Sequence, residues 1–159
     1  MVCSHTEDTV IFPDGTRVLA SGWLQRKKGE PTPDFGLYLD PQWTPTWPNV
    51  MLDWPDFGVP RDQATADEQI RAAFWRARAG ERVEVACVGG HGRTGTVLAC
   101  MAILAGVPAV EAVSWIRAAY CQRAVQEPSQ QYWIEKYAAA TAACRVGVTL
   151  VAASAHRLM

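Results

Sequence analysis

The sequence predicts an α/β fold with a central, mostly parallel sheet and helices on both faces. Three observations predict it. Short apolar, β-branched runs alternate with segments of helical periodicity, the pattern produced by a parallel sheet and its covering helices. The residues richest in chemistry lie in a loop at the C-terminal end of one such strand, where open α/β sheets carry their ligands. A chain of 159 residues with 49% hydrophobic content can bury a sizeable core, and a single domain over residues 1–159 is expected.

Taken in order, Thr9-Val10-Ile11-Phe12 and Arg17-Val18-Leu19-Ala20 flank the turn residues Pro13-Asp14-Gly15, so residues 9–20 predict a hairpin. Gln25 to Pro33 is a polar, partly basic loop. Phe35-Gly36-Leu37-Tyr38-Leu39 predicts a strand and opens a catalytic core expected over about residues 35–143. Residues 41–48 hold three prolines and two tryptophans, a rigid loop. Trp43 and Trp47 are expected to pack, as large aromatics mostly do, with a cleft wall as the other reading. Asn49 to Asp53 is strand-like. Thr65-Ala66-Asp67-Glu68 reads as the cap of a helix that runs to about Ala79 and ends at Gly80. Arg82 to Ala86 alternates β-branched residues and predicts a strand ending at Cys87. Val97 to Leu104 is apolar on all sides, as in a helix buried on every face. Pro108 to Tyr120 and Pro128 to about Ala143 predict two more helices.

Cys87-Val88-Gly89-Gly90-His91-Gly92-Arg93-Thr94 places a thiol and a guanidinium at the two ends of a glycine-rich loop between strand and helix. Such a loop ends on a helix N-terminus, whose unpaired N–H groups and positive dipole end favour an anion. Arg93 adds a planar fork that matches two phosphate oxygens. The same field favours the thiolate of a cysteine, the form that attacks. Residues 90–95 also fit a G-x-G-x-x-G dinucleotide fingerprint, but the acidic residue required about 20 positions on falls at Glu111, inside helical sequence.

A second segment, Trp54-Pro55-Asp56-Phe57-Gly58-Val59-Pro60, sets one carboxylate in a stiff loop with hinge points; read blandly it is a turn with a solvated Asp. Together the two segments resemble the protein-tyrosine phosphatase family, with its C-x5-R-[S/T] signature loop at Cys87 to Thr94 and its mobile acid loop of the W-P-D type at Trp54 to Pro60. The likeness spans about residues 49–137. Arg123 to Trp133 is similar to the family's glutamine loop, with Gln126 and Gln130 on the two matching glutamines.

The resemblance implies a protein-tyrosine-phosphatase-like fold and a tyrosine or dual-specificity phosphatase acting through a cysteinyl-phosphate. It implies Cys87 as nucleophile, Arg93 and the loop residues Val88, Gly89, Gly90, His91 and Gly92 as the phosphate cradle, and Asp56 as general acid and then base. Thr94 would bond the departing sulfur, and Gln126 or Gln130 would hold the hydrolytic water. Two departures stand out. Ala86 occupies the place of the usual His before the nucleophile, and His91 occupies a variable loop position, from which it would face the group bearing the phosphate or simply lie in solvent.

The alternatives are a phosphoinositide or RNA 5′-phosphatase of the same superfamily, and a catalytically weak phospho-binding domain. A formal net charge of −1 and a signature loop without lysines argue against polyanionic substrates. The presence of nucleophile, arginine and acid argues against mere binding. The expected partner is a phosphorylated protein or peptide, with no nucleic acid and no membrane partner. No cofactor and no metal are expected. Five cysteines without regular spacing, and a start without a basic region followed by an apolar one, predict reduced thiols and a cytoplasmic location.

Overall fold

The computed structural model describes residues 8–26 and 29–156; Lys27 and Lys28 of the expected polar loop lie outside the described residues. Five strands form one sheet: β1 (Asp8–Ile11), β2 (Arg17–Gly22), β3 (Phe35–Tyr38), β4 (Asn49–Met51) and β5 (Val83–Cys87), in the order β1-β2-β5-β3-β4. β1 and β2 form the predicted antiparallel hairpin, and every other pairing is parallel. The helices are α1 (Gln63–Arg78), α2 (Gly92–Leu104), α3 (Ala112–Ala119) and α4 (Pro128–His156). The sheet is therefore the mostly parallel α/β sheet that the sequence predicts.

Both faces are covered, but unequally. Phe35, Leu37, Val83 and Val85 point into the main core with Ile70 and Phe74 of α1, Leu98 and Met101 of α2, and Trp133 and Ile134 of α4. On the other face, Tyr38 and Glu84 are covered by a 3₁₀ turn (Trp23–Gln25) and by the proline-rich segment after β3. Trp43 stacks on Trp23 with ring centroids 5.5 Å apart, and the Trp47 Nε1–H donates to the Tyr38 hydroxyl at 2.6 Å. Packing is thus the role of Trp43 and Trp47. Glu84, read from the sequence only as part of an alternating strand, is buried: Oε2 accepts from Arg26 Nη1 at 2.5 Å and Oε1 from the Tyr38 hydroxyl at 2.8 Å. Burial, followed by the neighbouring Glu84 charge, pushes the Tyr38 hydroxyl well above its ordinary pKa. Removing one partner of a buried ion pair strands the other, so Glu84→Ala should cost about 3–5 kcal/mol, read as a lowered urea midpoint.

Several boundaries differ from the sequence reading. The cap of α1 is Asp62 rather than Thr65: its Oδ1 accepts the Thr65 N–H at 3.0 Å, a bond that holds the Asp62 carboxyl below its usual pKa. The expected helix at 108–120 is a 3₁₀ turn (Ala109–Glu111) followed by the short α3. α4 continues past Ala143 to His156. α2 begins at Gly92, five residues before the apolar run, which moves Arg93 and Thr94 into its first turn.

Candidate active site

β5 sits between β2 and β3, and its last residue is Cys87. The chain then turns through Val88, Gly89 and Gly90 onto His91, whose carbonyl accepts the Gly95 N–H at 2.8 Å and so starts α2. Gly90 has φ +76°, and a Cβ there would lie 2.6 Å from the Gly22 backbone nitrogen. Only glycine allows that left-handed turn against the end of β2. Cys87 is 3% exposed. Its Sγ accepts from the Gly90 N–H at 3.3 Å and from the Thr94 hydroxyl at 3.1 Å, so two donors converge on the sulfur from the loop and from the helix start.

Arg93 is buried, and its Nη1 donates to the carbonyls of Leu39 at 2.9 Å and Trp54 at 3.0 Å. The guanidinium thereby ties the ends of β3 and of the acid loop to the signature loop. Its Nη2 lies 3.6 Å from Asp56 Oδ1 and 3.8 Å from Asp40 Oδ2, while its Nε is buried without a partner. A buried guanidinium nitrogen with its hydrogen unused is a vacant donor that an oxyanion can fill.

Asp56 is solvent-facing, and its Oδ1 accepts the Phe57 N–H at 3.0 Å. Phe57 adopts a left-handed φ of 58°, rare for a bulky residue and a mark of local strain. The loop is held closed by the Gly58 carbonyl, which accepts from Trp54 Nε1 at 2.7 Å and from Gln130 Nε2 at 3.2 Å. Trp54 itself is buried edge-on to Trp133 of α4.

The two glutamines have different places. Gln130 is fully buried, and its Oε1 accepts the N–H groups of Gln126 and Glu127 at 2.9 and 3.3 Å. With both ends occupied, it clamps the acid loop to the glutamine loop. The Gln126 side chain lies over the start of α2, where a Cβ on Gly92 would come within 2.4 Å of its Oε1. Gly95 similarly lets Ala124 approach, since a Cβ there would sit 2.5 Å from the Ala124 Cβ. His91 is neither solvent-exposed nor free to swing: it is 9% exposed, with Nδ1 3.4 Å from Cys121 Sγ.

Sequence reasoning missed four residues that shape this site. Asp40, buried at the end of β3, faces the Arg93 guanidinium. The Tyr120 hydroxyl donates to the Gly90 carbonyl at 2.5 Å, Cys121 abuts His91, and Arg117 bonds the carbonyls of Ala124 and Val125 at 2.9 and 2.8 Å. Val125 has φ 60°, so Arg117 braces a strained turn under Gln126. Their partners are distant in sequence, and only the turn-forming glycines hinted at the close approach. Tyr120→Phe removes one hydrogen bond from the loop that carries the chemistry. At about 1 kcal/mol per bond, it should lower kcat roughly fivefold in steady-state assays, with a smaller effect on KM.

Cys100, wholly buried in α2, has its thiol pushed up by burial, which keeps it protonated and inert. Among the described residues, no helix is long and apolar enough to cross a membrane.

Comparison with known proteins bears on the whole constellation. The uncharacterized protein MJECL20 of Methanocaldococcus jannaschii is 32% identical over 147 residues, which cover 85% of this chain and 95% of that protein. Among solved structures, kinase associated phosphatase, with its catalytic site cysteine replaced by serine, is similar with a TM-score of 0.71 at 14% identity, covering 90% of this chain and 99% of that one. PTPMT1 in complex with PI(5)P gives 0.65 at 17% identity, covering 80% and 94%. At such identities the structural matches establish the fold. The family model described as PTP-SAK, the Swiss Army Knife protein DSP-PTPase phosphatase domain, matches residues 38–154, a span that holds Asp40, Asp56, the signature loop and both glutamines. The chain therefore belongs to the DSP-PTPase phosphatase domains of the protein-tyrosine phosphatase superfamily.

Proposed function

We propose that the chain hydrolyses phosphotyrosine, with phosphoserine and phosphothreonine as the wider substrate class, through a cysteinyl-phosphate. The observation that carries this reading is the buried, unpartnered Nε of Arg93 in the helix turn that follows the Cys87 loop. Nη1 anchors the guanidinium on two carbonyls, which leaves a fixed donor for an equatorial phosphate oxygen. The first N–H groups of α2 and the loop amides supply the remaining donors. Cys87 Sγ attacks phosphorus in line, the S–P bond forms, the bond to the leaving oxygen breaks, and Asp56 gives that oxygen its proton. A water, placed by Gln126 over the start of α2, then attacks phosphorus and yields its proton to Asp56; the S–P bond breaks and inorganic phosphate leaves. Thr94 bonds the sulfur as it departs. Catalysis is thus mainly positioning and charge stabilisation. Gln130 keeps the acid loop over the cradle rather than touching the water.

A substrate panel tests the reading. Phosphotyrosine peptides should give the highest kcat/KM among phosphotyrosine, phosphothreonine and PI(5)P. A preference for PI(5)P would replace the protein substrate with a lipid headgroup while leaving the chemistry intact. Binding of phosphopeptides with no turnover of any substrate would make the domain a reader of phosphorylation.

A further inference from the structure

A cavity of about 650 Å³ opens at the end of the sheet remote from Cys87 and takes no part in the chemistry above. Val83, which borders it, and Cys87 are the two ends of β5, about 13 Å apart at the rise of a parallel strand. Three arginines line it: Arg17 at the start of β2, Arg78 at the end of α1, and Arg82 just before β5. The parallel register pairs Leu19 with Glu84. Continued two residues back, it sets Arg17 beside Arg82, like charges on neighbouring strands, an arrangement that destabilises a sheet unless something negative lies between them.

The nearby acids do not cancel this charge. Glu81 is paired with Arg76 at 3.0 Å. Asp34, whose Oδ2 accepts the Arg82 N–H at 2.8 Å, stands outside the lining. Asp14 does line the cavity and has its Oδ1 on the Thr16 N–H at 3.0 Å. Counted against Asp14 and the roughly half negative charge at the end of α1, the three guanidiniums leave a surplus of about 1.5 positive charges.

The second observation comes from the cavity wall itself. Thr16, which lines it, is 5% exposed, and its Oγ1 is buried without a hydrogen-bond partner. An unmade hydrogen bond of this kind is costly, and a ligand oxygen would satisfy it. The volume falls in the range of small-molecule sites.

We propose that this cavity binds a small anion bearing a short chain of phosphates, clamped by Arg17, Arg78 and Arg82 and bonded by the Thr16 hydroxyl. The full chain carrying Cys87→Ser, which cannot turn the probes over by the route proposed above, is titrated calorimetrically at low salt with inorganic tripolyphosphate and, separately, with ATP. A saturable one-to-one event is expected that survives Arg93→Met, weakens at least tenfold in Arg17→Ala/Arg82→Ala, and weakens severalfold in Thr16→Val. Tighter binding of ATP than of tripolyphosphate would identify a nucleotide as the ligand, and equal binding the phosphate chain alone; both support the site. Thr16→Val also removes the orphan hydroxyl and should raise the melting temperature of the ligand-free protein, which shows that the variant is folded when its binding falls. Heat that disappears with Arg93→Met and persists without Arg17 and Arg82 would assign binding to the signature loop and overturn the proposal. No saturable heat with either probe would overturn it as well.

Discussion

Cys87→Ser is expected to lower turnover of p-nitrophenyl phosphate by on the order of 10⁴–10⁶-fold, the scale on which an enzyme loses rate without its nucleophile, while vanadate binding stays measurable. The substitution keeps the shape of the site but exchanges a thiolate for a hydroxyl, which attacks far less readily at neutral pH. The Gly90 N–H and the Thr94 hydroxyl, both aimed at Sγ, remain in place to bond a seryl oxygen, so loss of rate would not reflect collapse of the loop. Cys144, exposed on α4, supplies the control: Cys144→Ser should leave turnover within about twofold, since surface substitutions away from structural features are nearly neutral. Wild-type turnover in Cys87→Ser would remove the thiol from the mechanism and leave the loop as a binding element.

What the sequence revealed about this site follows from which constraints are local. The signature loop was legible because glycine at 89, 90 and 92 is the residue type that tight backbone turns require. The start of α2 was not, because the same glycines disfavour helix and His91 makes no side-chain cap. The helix is fixed there by close packing of Gly92 and Gly95 against Gln126 and Ala124, contacts from thirty residues away. Asp62 was overlooked beside Thr65, although both are good capping types, because the choice depends on backbone geometry that composition does not record. Glu84 looked like an outward residue of an alternating strand. Its partner Arg26 lies 58 positions away, so nothing in its neighbourhood announces a buried ion pair. The same holds for Asp40 and Tyr120, which reach the site only through the fold. His91 and Gln130 were assigned to the site by position in a motif, and burial decided what their side chains touch.

Asp56→Asn should separate substrates by leaving group. Expelling an oxygen costs more as its basicity rises, so a positioned acid matters little for a nitrophenolate and much for the phenolate of tyrosine, whose reference pKa is about 10. General acid catalysis contributes about 10²–10⁴-fold. Turnover of phosphotyrosine should fall by that factor and turnover of the nitrophenyl ester far less, and the alkaline limb of the pH–rate profile should flatten as the donated proton ceases to matter. The structure supplies the control carboxylate. Asp53 is equally solvent-facing, with side-chain exposures of 66% against 61% for Asp56, but its Oδ2 lies 3.2 Å from the exposed Arg61, whereas Asp56 lies 3.6 Å from the buried Arg93. An exposed pair like Asp53–Arg61 is worth about 0–1 kcal/mol, so Asp53→Asn should change neither the rate nor its leaving-group dependence. The coupling through Arg93 sharpens the test. Nη1 holds the Trp54 carbonyl, two residues before the acid, and Gln130 holds the Gly58 carbonyl, two residues after it, so the loop stays in place when the carboxylate becomes an amide. A loss equal across leaving groups would therefore signal a displaced loop, and a larger loss from Asp53→Asn would move the acid to the wrong side of Trp54.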